Sequence, residues 1–165
     1  SIHFEITSLL LPKITKTMFT KACEYGIRAC IFVALNSMEK RRVSLKEIAQ
    51  SIDSPEYFTA KILQKLAKGK IIYSVQGAQG GFEMEEAKIR TISIEDIVLV
   101  IDGEVAFTMC VLGLKKCSEV NPCPVHHKYK NIKADLKEMI KTTTVFDMVD
   151  QVNDGHSFLK IFELE

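Results

Sequence analysis

Apolar residues first recur at helical spacing between Thr20 and about Ser37. Cys23, Ile27, Cys30 and Ala34 follow one another at steps of four, three and four, so they share one face of a helix. Ser44-Leu45-Lys46-Glu47 then has the form of a capping box. Leu45, Ile48, Ala49 and Ile52 give the short amphipathic helix it would start. A second start follows at once. Ser54 is placed to cap, Pro55 suits a first helical position, Phe58, Ile62 and Leu66 line one face, and Gly69 is the expected stop. Two short helices around a tight Asp53-Ser54 junction predict a helix-turn-helix.

Lys70 to Val75 reads as a strand, Gln76 to Gly81 as a glycine-rich turn, and Phe82 to Met84 as a returning strand. A hairpin directly after a helix-turn-helix is the order of a winged helix, and turn glycines permit positive φ and close approach to phosphate. Ser93 to Gly103 predicts a further helix, capped by Ser93, with Ile94, Ile97, Val98 and Ile101 inward. After Pro124 a long helix is expected to about Lys141. Its Tyr129, Ile132, Leu136 and Met139 form one apolar seam for another helix, either of a second copy or of its own domain. From Thr142 onward the pattern is mixed, and local packing is expected.

The fold class expected is mainly α with a small β-hairpin wing: a winged helix-turn-helix plus a long C-terminal dimerisation helix. The division expected is 1–17 as an N-terminal extension without assigned role and 18–90 as the winged-helix DNA-binding domain. A connecting helix and cysteine loop would occupy 91–123, and the dimerisation helix and tail 124–165.

Composition changes this picture only in part. The 165 residues are 47% hydrophobic and 26% charged, ordinary for a globular chain with one core. A formal net charge of +1 excludes a histone-like global field, so any DNA contact must use a local basic face. No apolar run is long enough to span a bilayer, and residues 1–17 lack the marks of a signal peptide. A reducing cytoplasm is therefore expected, with five cysteines present as free thiols or ligands rather than disulfides.

Cys110, Cys117 and Cys123 lie in one loop, separated by six and five residues. Thiolates suit iron–sulfur clusters, zinc and copper(I). Structural zinc favours paired C-x₂₋₄-C knuckles, which are missing from this loop, so the wider spacing points to a cluster. A fourth ligand is needed. His126, three residues after Cys123, is the candidate, with His127 its neighbour. Cys23 and Cys30 read as core.

The order of these motifs resembles the IscR/NsrR-type family of winged-helix transcriptional regulators, from about Met18 to about Lys141. The stretches that carry it are Thr20 to Ala29, Ile48-Ala49, Pro55, Lys61-Ile62-Leu63, Leu66, Ser74 to Gly77, Gly80-Gly81-Phe82, Ile97 to Gly103 and the three-cysteine loop. The resemblance implies a homodimer on double-stranded operator DNA. It implies a 2Fe–2S or 4Fe–4S cluster on Cys110, Cys117 and Cys123, with His126 as fourth ligand or, as in another branch, Glu24. No general-base constellation or phosphate loop stands in the sequence, so no catalysis is expected, nor a small-molecule substrate or membrane partner.

The implied recognition helix is Pro55 to Lys68, with Glu56, Tyr57, Ala60, Lys61, Gln64 and Lys65 outward. Lys61 and Lys65 would meet phosphate, and Gln64 a base edge. Ser54, Ser74, Gln76 and Gly77 complete that face, and Lys21 and Arg28 would reach the DNA backbone. Where several relatives carry an arginine in the wing, this chain has Gln76, which puts their operator sequence in doubt here. Two alternatives stand beside this reading: a cluster-free or zinc-binding regulator of the same fold, and a metal-stabilised interaction module.

Overall fold

The computed structural model describes residues 19–104, 108 and 110–160. The extension expected over 1–17 lies outside them. The elements run α1 (Lys21–Met38), α2 (Leu45–Ser51), α3 (Glu56–Lys68), β1 (Tyr73–Val75), β2 (Gly81–Glu83), α4 (Glu86–Thr91), α5 (Ile94–Ile101), α6 (His126–Thr142) and α7 (Val145–Asn153). This is a mainly helical fold with one antiparallel hairpin, in winged-helix order.

Polar side chains set the helix starts. Thr20 caps α1 by accepting from the Cys23 N–H at 3.1 Å. Three reciprocal capping boxes follow, Ser44 with Glu47, Ser93 with Asp96 and Thr144 with Asp147. In each, a hydroxyl and a carboxylate satisfy two N–H groups that the first turn leaves orphaned. The last two starts lie side by side. Ile94 N–H donates to Thr143 O at 3.0 Å, and Val145 N–H to Ile92 O at 2.8 Å.

The helix-turn-helix is closed by Asp53 at φ 52°, a left-handed position that aspartate tolerates better than most residues. Ser54 is not the cap expected of it. Pro55 occupies the N-cap, and the Ser54 hydroxyl instead accepts from the buried Thr59 hydroxyl at 3.0 Å. Gly69 also has a different reason from the one expected. It ends α3 at an ordinary φ of −76°, and Lys70 makes the left-handed turn. Gly69 is needed for proximity: a Cβ there would stand 2.7 Å from Val100 Cγ1 of α5.

The first wing strand is shorter than expected. Ile71 and Ile72 are buried in the core, and the ladder begins only at Tyr73, in the register Tyr73↔Glu83, Ser74↔Phe82, Val75↔Gly81. Val43 joins as a lone third rung, exchanging both backbone hydrogen bonds with Phe82.

One core unites residues of α1, α2, α3, α5 and α7 with Val43, Ile71, Ile72, Met84 and Ile89. Cys23 and Cys30 lie in it, fully buried, as expected. The short α4, which contributes Ile89, falls in a stretch for which the sequence predicts no element, and α7, which contributes Val149, lies in the tail read as mixed. By contrast α6 buries only His126 and Ile140 of its 17 residues. Of its apolar seam, Tyr129 and Leu136 are half-buried, while Ile132 and Met139 remain 62% and 49% exposed.

Candidate nucleic-acid interface and cysteine loop

The outer face of α3 carries the expected side chains. Glu56, Tyr57, Lys61, Gln64 and Lys65 are exposed and Ala60 is partly so. Opposite them Thr59, Ile62, Leu63 and Leu66 are buried, which fixes the rotation of the helix. The Lys61 ammonium sits 4.4 Å above the Tyr57 ring. Lys65 donates to the carbonyl of Ile101 at 3.2 Å. In the wing Ser74, Gln76 and Gly77 are exposed, and Gly77 adopts φ +105°.

The two remaining cations are differently placed. Lys21 is exposed and paired with Glu24 at 2.7 Å. Arg28 is half-buried. Its Nη1 donates to Ile52 O at 3.1 Å, at the end of α2, and to Leu159 O at 3.2 Å, in the C-terminal tail. Its guanidinium lies 4.6 Å over Tyr25, which meets Phe58 of α3 edge-on. Arg28 thus braces the helix-turn-helix from behind.

Arg42, in the turn between α1 and α2, flanks the wing. It pairs with Glu83 at 2.7 Å and donates to Gln79 O at 3.4 Å, beside a cleft of about 400 Å³. Only the Val43–Phe82 pairing brings it there, and that pairing has no local sequence signal.

The cysteine loop gathers its donors in two pairs. Cys110 and Cys123 are 5% and 8% exposed, and their thiols are hydrogen-bonded. The Leu112 backbone N–H, helped by the Cys123 thiol, the Leu114 N–H and the Lys133 ammonium, holds the Cys110 thiol below the usual thiol range. Cys117 and His126 form the second pair, Sγ to Nδ1, at 3.5 Å. His126 is 5% exposed, opens α6, and donates its N–H to Cys123 O at 2.9 Å. The loop is held further by Cys117 N–H to Thr108 O at 3.0 Å and Gly113 N–H to Cys110 O at 2.9 Å. His127 is exposed, its ring edge-on to that of His126. Glu24 lies in the first turn of α1.

Among the described residues no three His, Cys, Asp or Glu side chains converge on one point as a mononuclear ion requires. The donors lie instead as two pairs in one loop, with backbone N–H groups bonded to the Cys110 sulfur, an arrangement closer to the ligands of a polynuclear group than to those of a single ion. Cys23 and Cys30 offer the opposite chemistry. Burial, reinforced by Asp102, pushes the Cys23 thiol up to about 12, and burial raises Cys30 further, so neither supplies a thiolate.

A helix-turn-helix with an adjoining wing and a solvent-facing third helix defines the class: a winged-helix DNA-binding protein. The sequence pattern of the Rrf2 family, described as iron-dependent transcriptional regulators, matches residues 19–151, and the chain belongs to that family. It is 34% identical over 143 residues to an HTH-type transcriptional regulator of Aquifex aeolicus, covering 86% of this chain and 96% of that one. It is 25% identical over 130 residues to the HTH-type transcriptional regulator IscR of Vibrio vulnificus, covering 79% and 76%. The fold matches CymR, the global cysteine regulator of B. subtilis, with a TM-score of 0.66 and 22% identity over 80% of this chain and 95% of that one. It matches T. potens IscR with a TM-score of 0.64 and 22% identity over 84% and 90%. The protein is a transcriptional regulator, not an enzyme. No helix among the described residues is long and apolar enough to cross a membrane.

Proposed function

We propose that this regulator acts as a homodimer in the cytoplasm and that its operator binding is switched by an iron–sulfur cluster. The cluster would be held by Cys110, Cys117, Cys123 and His126. The observation that carries this reading is the pairing of donors, Cys110 with Cys123 and Cys117 with His126, in one loop at the foot of α6. Each iron of a 2Fe–2S group takes two protein ligands, so two pairs from one loop suit it better than they suit one tetrahedral zinc. His126 is favoured over Glu24 because it already stands beside Cys117, whereas Glu24 is ion-paired with Lys21.

Bound there, such a group supplies iron that responds to oxidant, nitric oxide or iron–sulfur supply. The chain supplies the rest. The loop joins α5, which packs on α3, to α6, whose Ile132 and Met139 face outward. With the four donors held together the loop keeps one path. With them released, the start of α6 is free to shift. In a dimer joined along the α6 seam, that shift changes the separation of the two recognition helices. Separation decides whether both reach successive major grooves. Lys61 would serve as a phosphate contact and Gln64 as a reader of base edges, with the wing at the neighbouring groove.

Anaerobic purification with visible absorption, iron and sulfide analysis tests the assignment. A coloured protein is expected that loses its chromophore in Cys110→Ala, Cys117→Ala and Cys123→Ala and keeps it in Cys23→Ala. Colourless protein carrying zinc and no iron would overturn it.

A further inference from the structure

The sequence suggests that Lys65 meets DNA phosphate, yet its ammonium is turned inward along α3. Nζ donates to the carbonyl of Ile101, the last residue of α5, at 3.2 Å. The last carbonyls of a helix have no intrahelical partner and carry its negative pole, so a lysine there is held by both hydrogen bond and field. The same helix end is gripped from α1. Asp102 accepts from the Thr20 hydroxyl at 2.6 Å and from the Thr20 N–H at 3.3 Å.

Close packing completes the joint. A Cβ on Gly69, at the end of α3, would lie 2.7 Å from Val100 of α5. A Cβ on Gly26 of α1 would lie 2.1 Å from Ile101 and 3.4 Å from Ile62 of α3. Three helices therefore meet at Val100 to Asp102, and Gly103, at φ +73°, turns the chain out toward the cysteine loop immediately afterwards.

We propose that Lys65 is a positioning residue. It pins the recognition helix to the end of α5 from which the cysteine loop departs, and it does not neutralise phosphate. The inference rests on the DNA-binding role of the family but not on the cluster, so it is tested on the metal-free protein.

Operator and random-sequence duplexes are titrated over a range of salt with wild type, Lys61→Met, Lys65→Met and Lys65→Arg, the operator being taken from DNA upstream of the gene. Each neutralised phosphate contributes about 0.9 to the slope of log K against log salt. Lys65→Met is expected to keep the wild-type slope. It loses about tenfold on the operator, the share of one hydrogen bond from a charged donor, and little on random DNA. Lys65→Arg, which can still donate to the Ile101 carbonyl, is expected to restore most of the loss. Lys61→Met gives the contrasting fall in slope.

A Lys65→Met slope shallower by about 0.9, equal losses on both duplexes, or wild-type affinity would each overturn the proposal. Ammonium proton–nitrogen correlation spectra of the wild type give a second measurement should Lys65→Met not fold. The Lys65 signal is expected to be protected in free protein and unmoved by DNA. A signal that is absent in free protein, or that shifts when DNA is added, counts against the tether. If the metal-free wild type binds neither duplex, the titration is repeated with iron-loaded protein, and only failure of both forms counts against the regulatory reading; the spectra decide the role of Lys65 in either case.

Discussion

Replacing Gly80 by alanine should open the wing without unfolding the protein. An added Cβ would stand 2.2 Å from Val75 O and 2.8 Å from Gly77 O, where ordinary contact begins at 3.4 Å. The methyl group must back away by about 1.2 Å, the difference between those two distances. Both obstacles are backbone oxygens of the same turn, and no rotamer change relieves them. The turn is closed by Gly80 N–H to Gly77 O at 2.9 Å, and Val75 pairs with Gly81 in the ladder. Relief therefore requires the turn to open and the register to slip. Overpacking of this kind costs about 1–3 kcal/mol. The wing has only three paired residues on each strand and can detach locally, which limits the effect on the whole molecule. At about 2–4 °C per kcal/mol for a chain of this size, the melting temperature should fall by no more than about 12 °C. Hydrogen exchange should report the local event. The Val43 and Phe82 N–H groups, which bond to each other's carbonyls at 3.1 and 2.8 Å, should lose protection, while amides of α1 keep theirs. Operator affinity, read by fluorescence anisotropy at fixed salt, should fall at least about tenfold, or 1.4 kcal/mol. Wild-type protection at Phe82 together with wild-type affinity would refute the reasoning.

Arg28→Met keeps the apolar stem but removes the bonds to the carbonyls of Glu24, Ile52 and Leu159 and the stack on Tyr25. It should destabilise the fold by about 1.5–3 kcal/mol in thermal melts, and a change below about 0.5 kcal/mol would contradict the bracing role. Glu47 is held down to about 2 by the Ser44 backbone N–H, then by Arg41 and the Ser44 hydroxyl. Because its folded value is depressed, its contribution is complete above the ordinary 4.5 and fades as pH falls toward 2. Its exposure keeps the effect below about 1 kcal/mol. The stability gap between wild type and Glu47→Ala should narrow over that window, and a gap widening with acid would be inconsistent. Ile132→Glu places charge in the exposed α6 seam and should yield monomers in sedimentation velocity; an unchanged dimer would move the interface elsewhere.

The sequence was most legible where a local rule acts alone. The Ser44–Glu47 box, the left-handed Asp53 junction and the inward faces of α1, α3 and α5 all follow from neighbouring residues. Legibility failed where tertiary contact decides. Ile71 and Ile72 look like strand but are core. Gly69 looks like a left-handed stop, yet it is small because Val100 approaches it. The Thr144–Asp147 box was present in the sequence, but the mixed pattern after it hid α7. In the cysteine loop the donor types could be read, whereas their pairing depends on turns around Gly113 and on the entry angle of α6. Arg28 and Lys65 show the same limit. Charge and periodicity bring both toward the DNA face, and only the carbonyls of Ile52, Leu159 and Ile101 explain where their heads lie.

The central claim is that ligation at Cys110, Cys117, Cys123 and His126 governs operator binding. Its most direct test is an anaerobic titration of one operator duplex, at one salt concentration, with two halves of a single preparation. One half retains its iron and sulfide, and the other is stripped by chelation and shown by circular dichroism to remain folded. Affinities differing by at least about tenfold, with the difference abolished in Cys117→Ala, are the predicted result. Equal affinities of iron-loaded and stripped protein would contradict it.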